Sequence, residues 1–107
     1  MKKQELEYRL LLGIHKNSDL TQRSLALDLG VSLGRVNFML KSLSKAGLVK
    51  LQQFRRSDNK MGYFYLLTPK GVVEMSKIAQ DFLERKEIEY INLRKEIEQI
   101  RAEIVEL

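Results

Sequence analysis

The chain contains no cysteine and a single histidine, His15. Without cysteine there are no disulfides, no thiolate metal ligands and no cysteine nucleophile. One imidazole by itself supplies neither a zinc site nor a catalytic dyad. The sequence also lacks a phosphate loop and a metal-binding cluster. A binding function is therefore expected rather than an enzymatic one, with no metal and no cofactor. No apolar run approaches the roughly 18 residues that span a bilayer. The N-terminus, Met1-Lys2-Lys3-Gln4-Glu5, is charged at once with no long apolar stretch behind it. It reads as neither a signal nor a transit peptide, and the expected compartment is the cytoplasm. Proline occurs once, at Pro69, and the last glycine is Gly71, so nothing in residues 72–107 interrupts a helix.

What is present is a chain of 107 residues, enough for one globular domain and an extension. Its net charge of +5 is unevenly spread. Residues 32–63 hold seven basic side chains and one acidic, Asp58, whereas residues 72–107 hold six basic and nine acidic. A positive middle and an acidic tail suit a polyanionic partner for the middle segment; a merely solvated basic face is the plainer alternative.

The pattern along the chain is mostly helical. Leu6, Leu10 and Ile14, widened by Tyr8 and Leu11, predict a helix over residues 3–16. Asn17-Ser18-Asp19 reads as a turn. Thr21 is a suitable N-cap for a short helix to Leu29, with Leu25, Ala26 and Leu29 as its buried side. Gly30 ends that helix, and Ser32 caps the next one almost at once, a helix running to Ala46 with Val36, Leu40 and Leu43 on its core face. Two helices joined by so tight a turn must cross steeply, which is a helix-turn-helix arrangement. Beyond Gly47 the period changes to two. Residues 48–54 and 62–67 read as strands of a hairpin with a basic, turn-prone tip at residues 55–60. Thr68-Pro69 then announces a helix, either one long helix or two with a bend near residues 81–86. The fold class expected is mainly α with a small β-hairpin (α+β).

The run from Leu20 to Ser32 resembles the start of a bacterial helix-turn-helix. Val36-Asn37-Phe38-Met39-Leu40-Lys41-Ser42-Leu43 followed by Ala46-Gly47-Leu48-Val49 resembles a recognition helix entering a wing, and Leu66-Leu67-Thr68-Pro69-Lys70-Gly71 resembles the strand-to-helix junction of MarR-type winged-helix regulators. Over residues 5–100 the chain is similar to the short, exopolysaccharide-associated subgroup of that family. The resemblance implies a winged helix-turn-helix DNA-binding domain over residues 1–71 and a dimerisation helix over residues 72–107. It implies a transcription regulator, by expectation a repressor of exopolysaccharide genes, acting as a homodimer on a pseudo-palindromic operator. Full-length MarR proteins carry further N-terminal helical material in their dimer interface. This chain begins almost at its first helix, so effector sensing is not carried over and a small-molecule effector is left open.

Within that frame the helix beginning at Ser32 is expected in the major groove, with Ser32, Leu33, Gly34, Arg35, Asn37, Phe38 and Lys41 as base-reading candidates. Arg35 offers a fork to guanine and Asn37 an amide to adenine. Gly34 allows close approach of the backbone to the duplex. Phe38 either touches a thymine methyl or fills the core, and the pattern leans to the core. Thr21 and Ser32 stand at helix N-termini, where backbone amides favour phosphate; Thr21, Gln22, Arg23 and Lys45 are the candidate backbone contacts. Arg55, Arg56, Asn59 and Lys60 in the wing are expected to grip phosphates or a narrow minor groove.

The tail carries a heptad pattern. Leu83, Tyr90, Ile97 and Ile104 occupy position a; Lys86, Leu93, Ile100 and Leu107 occupy position d. Glu89 and Glu96 at g would face Arg94 and Arg101 at e of a parallel partner. Such exposed pairs contribute only about 0.2–1 kcal/mol each and select register more than they stabilise. Leu83, Tyr90, Leu93, Ile97, Ile100, Ile104 and Leu107 are thus the expected dimer interface. The opposing possibility is a helix packed on its own domain. Two rival functions remain: a protein-interaction adaptor pairing through its coiled coil, and an RNA binder stacking bases on Tyr63, Phe64 and Tyr65.

Overall fold

The computed structural model describes residues 1–16, 20–55 and 61–107, with the side chains of residues 54–55 and 61–63 left aside. The turn expected at Asn17-Ser18-Asp19 lies outside the described residues. The order of elements is α1 (Lys3–Lys16), α2 (Gln22–Leu29), α3 (Leu33–Lys45), β1 (Val49–Arg55), β2 (Met61–Leu67) and α4 (Pro69–Glu106). This is the architecture of a winged helix: three helices, then an antiparallel hairpin paired from Val49↔Leu67 to Arg55↔Met61, then a long C-terminal helix.

Local chemistry explains each boundary of the helix-turn-helix. The Thr21 side chain accepts from the Ser24 amide at 3.0 Å, and Ser24 Oγ accepts from the Thr21 amide at 3.0 Å, a reciprocal capping box that starts α2. At its end Gly30 takes φ 67°, a left-handed conformation that costs glycine little. The Gly30 amide donates to Leu27 O and the Val31 amide to Ala26 O, the bond pattern of a Schellman motif. Ser32 then accepts from the Arg35 amide at 3.1 Å and starts α3. The end of α3 repeats the device: the Gly47 amide donates to Ser44 O and the Leu48 amide to Leu43 O.

One core holds these elements together. Leu6, Leu10, Leu11 and Ile14 of α1 meet Leu25 and Ala26 of α2, Val36, Met39, Leu40 and Leu43 of α3, Leu48 just before β1, Val49 at its start, and Ile78 of α4. Leu6, Leu10, Leu11 and Val36 are fully buried, each contributing about 1.5–3 kcal/mol by leaving water. Leu29, expected on the buried side of α2, is half-buried. Met39 joins the core unforeseen.

The start of α4 is fastened to the end of α3. Thr68 Oγ1 accepts from the Gly71 amide at 3.0 Å and donates to Gly47 O. The Thr68 amide donates to Leu48 O, and Lys70 Nζ donates to Ala46 O at 3.0 Å. Gly71 lies so close to β1 that a Cβ there would stand 2.1 Å from Leu48 O. Further along, Phe82 stacks on Tyr8 of α1 with ring centroids 5.4 Å apart. The Arg9 guanidinium lies over both rings, and the Lys86 ammonium over Phe82. Beyond this stack α4 leaves the body without a break: it is one helix, not two joined near residues 81–86, and every residue from 83 to 107 is exposed.

Candidate nucleic-acid interface

The apolar face of α3 determines what the helix offers to the outside. With Val36, Met39, Leu40 and Leu43 buried, a turn of 3.6 residues places Gly34, Phe38, Lys41 and Lys45 in a line on the opposite side. All four are exposed. Phe38 is 70% exposed, so the leaning toward a core role is corrected. Buried positions one, three and four residues apart already complete the inner face, and Phe38 falls at its antipode. Arg35 flanks the line on one side and Asn37 on the other. Leu33 is exposed at the first turn. At Gly34 a Cβ would meet no atom within 4 Å, so the backbone there is open to a large partner.

Arg35 is exposed, and its guanidinium donates to the carbonyl of Met1. Asn37 is half-buried: its Nδ2 donates to Oε1 of Gln22 at 3.0 Å. Gln22 in turn donates through Nε2 to the hydroxyl of Tyr65 at 2.8 Å. Both ends of the Gln22 amide, a candidate phosphate ligand by sequence, are therefore engaged inside the protein. Thr21 and Ser32 use their hydroxyls as caps. The first free backbone amides of α2 and α3 remain available beside them. Arg23 and Lys50 are exposed. Among the described residues no carboxylate forms an ion pair with Arg23, Arg35, Lys41, Lys45 or Lys50. Arg56, Asn59 and Lys60 lie outside the described residues, and of Arg55 only the backbone, at the end of β1, is described. The sequence gives no sign that Tyr65 holds Gln22 behind this surface. No local pattern reveals that a strand residue meets the N-terminus of a helix 43 positions earlier.

The tail presents its heptad positions to solvent: Leu83, Tyr90, Leu93, Ile97, Ile100 and Ile104 are 42–64% exposed. They do not pack on their own domain. Two ion pairs lie along the helix itself, Lys86–Glu89 at 3.2 Å and Arg94–Glu98 at 3.5 Å. A cleft of about 440 Å³ opens between the N-terminal residues and α4, lined in part by Met1, Lys2, Glu5, Phe82, Arg85 and Lys86. Among the described residues, no group of three or more His, Asp or Glu is placed to hold a metal, and no helix is long and apolar enough to cross a membrane.

Comparison with solved structures gives the same architecture in bacterial regulators. A PadR-like transcriptional regulator from Bacillus cereus superposes with a TM-score of 0.72 at 20% identity, covering 82% of this chain and 90% of that one. A MarR protein from Peptoclostridium difficile gives 0.67 at 23% identity, covering 94% of this chain and 64% of that one. The transcriptional repressor CouR, solved with a 23-mer DNA duplex, gives 0.53 at 23% identity over 68% of this chain and 50% of that one. This chain thus spans less than two thirds of the latter two. Among curated proteins no sequence match is found. The fold is a winged helix-turn-helix, and residues 4–50 match the family model described as winged helix-turn-helix DNA-binding.

Proposed function

We propose that the chain is a double-stranded DNA-binding transcription regulator that reads sequence with α3 and acts as a homodimer in the cytoplasm. The observation that carries this reading is the outer face of α3: Gly34, Phe38, Lys41 and Lys45 in one exposed line, Arg35 beside it, and no acidic partner for these cations among the described residues. A helix so presented fits the major groove. Arg35 is suited to the O6 and N7 acceptors of guanine and Asn37 to adenine, while Phe38 offers an apolar surface to a thymine methyl. Thr21, Ser32, Arg23, Lys41 and Lys45 border the phosphates, and Arg55, Arg56, Asn59 and Lys60 are assigned to the wing's grip on the backbone. Recognition of this kind needs binding chemistry and no catalytic group.

The dimer reading rests on α4. A projecting helix of 25 residues, about 37 Å long, leaves an apolar stripe in water, whereas most helical stability in proteins comes from packing such a face. Pairing residues 83–107 with a second copy in parallel covers the a and d positions and sets Glu89 and Glu96 against Arg94 and Arg101 of that copy. Two recognition helices would then meet half-sites about one helical turn apart in a pseudo-palindromic operator. Repression, and exopolysaccharide genes as the target, rest on the sequence resemblance alone.

A titration of a labelled random duplex tests the reading. With about six phosphates neutralised per dimer, affinity is expected to fall roughly a thousandfold between 50 and 200 mM salt. Selection from a random pool should return an inverted repeat, and Arg35→Ala should relax preference at one position at a cost of about 1–3 kcal/mol. No binding at low salt would overturn the reading in favour of an adaptor that pairs through its coiled coil.

A further inference from the structure

The chain of hydrogen bonds from Asn37 through Gln22 to Tyr65 joins three elements at the edge of the outer face of α3: the recognition helix, the N-terminus of α2 and the second strand of the hairpin. An asparagine amide has two nearly isosteric ends, a carbonyl that accepts and an NH2 that donates. Left to rotate, it complements either an amine or a keto group on a base edge, and it discriminates poorly. Here Nδ2 is held by Gln22 Oε1 at 3.0 Å, so covalent geometry turns Oδ1 to the opposite side of the amide. Gln22 is itself anchored in place, its Nε2 donating to the Tyr65 hydroxyl at 2.8 Å. Asn37, Gln22 and Tyr65 are all half-buried, which limits the competition of water for these bonds.

We infer that Gln22 and Tyr65 are specificity-determining positioning residues: they orient the Asn37 amide so that its carbonyl, with the second Nδ2 proton beside it, is the group offered to the groove. The inference rests on the DNA-binding reading of α3. The base that fits is adenine, whose N6 amine donates to Oδ1 while its N7 accepts the remaining Nδ2 proton. Guanine O6 and thymine O4 would face the Asn37 carbonyl with acceptor against acceptor. Neither Gln22 nor Tyr65 needs to touch DNA for this effect. A tyrosine hydroxyl both donates and accepts, so the opposite polarity of the relay is chemically available; the direction of the Gln22 amide decides between the two.

Three variants separate the polarities. Tyr65→Phe keeps the ring and removes the anchor. Gln22→Glu can only accept, so it holds Asn37 in the observed orientation. Gln22→Lys can only donate, so it draws Oδ1 inward and offers Nδ2 to the groove. Base preference is measured at each operator position with the wild type and the three variants, alongside affinity for a random duplex. In the free protein the Asn37 side-chain amide is followed by 15N NMR and hydrogen exchange. The wild type is expected to prefer adenine at one position per half-site by about tenfold or more. Tyr65→Phe should reduce that preference to below about threefold while its affinity for a random duplex stays within about twofold. Gln22→Glu should retain the adenine preference, and Gln22→Lys should move it to guanine or thymine. The Asn37 amide should exchange slowly in the wild type and faster in folded Tyr65→Phe, a readout that needs no DNA; slow exchange in the wild type is itself required, whether or not a variant folds. Unchanged base preference and unchanged Asn37 exchange in folded Tyr65→Phe would overturn the inference while leaving the DNA-binding reading intact. A wild type with no affinity for a random duplex at low salt would overturn both.

Discussion

Two glycines illustrate how opposite roles follow from surroundings alone. Gly71 is buried where α4 meets β1, and an added Cβ would stand 2.1 Å from a backbone carbonyl, Leu48 O. A backbone atom cannot swing aside as a side chain can. Gly71→Ala should therefore destabilise the fold by about 2–3 kcal/mol, visible as a lowered urea midpoint. Gly34 lies in the first turn of α3 with nothing within 4 Å of the missing Cβ. Gly34→Ala should raise stability by about 0.5–1 kcal/mol, since alanine orders more cheaply in a helix. If α3 sits in the major groove as proposed, the same change should weaken operator binding, because the methyl group meets the duplex. A thermal melt and a binding titration on one sample test both halves; a variant that is more stable and binds equally well would place Gly34 away from DNA.

At the scale of elements, the junction between α3 and α4 sets where the long helix points. Thr68 acts twice there, capping α4 through the Gly71 amide and tying it to Gly47 O at the end of α3. Thr68→Ala loses a cap worth about 1 kcal/mol and leaves Gly47 O without that donor, so a loss of roughly 1–2 kcal/mol is expected in chemical denaturation. Thr68→Ser, which keeps the hydroxyl, should recover most of it. The elements themselves were largely legible beforehand, because their signals are local: Thr21, Ser32 and Thr68 as caps, Gly30 and Gly47 as stops, and the change from a period of 3.6 to a period of 2 at Leu48. Boundaries of the strands moved by one residue. Phe38 was misplaced because hydrophobicity says only that a residue gains by burial. The inner face of α3 was already filled by Val36, Met39, Leu40 and Leu43.

The whole molecule is far from compact. Its radius of gyration is 19.2 Å, against about 13 Å for a globular domain of this length, and its longest extent is 72 Å. The excess is α4, which leaves the core after Phe82. For the proposed dimer, Ile97 stands in the middle of the stripe, and Ile97→Glu puts like charges opposite each other in an apolar seam. The expected outcome is a shift in mass by sedimentation equilibrium from about 25 kDa, twice the chain mass of 12.5 kDa, to that of a monomer. Binding to an inverted repeat should drop far more than binding to a random duplex, since only the former uses two helices at once. A monomeric wild type, or a variant that still sediments as a dimer, would remove residues 83–107 from the interface.

By itself, the sequence determined the number and kind of elements, their caps, the concentration of positive charge in residues 32–63 and the heptad pattern of the tail. Each is a matter of neighbours within a few positions, where backbone geometry and side-chain type act directly. Only the tertiary structure decided which side of α3 faces outward at Phe38, that Gly71 must be glycine, that α4 runs unbroken away from the body, and that Asn37 is held through Gln22 by a tyrosine 28 positions further along the chain. These depend on contacts between segments remote in sequence, and no local pattern encodes a distance that exists only after the core has closed.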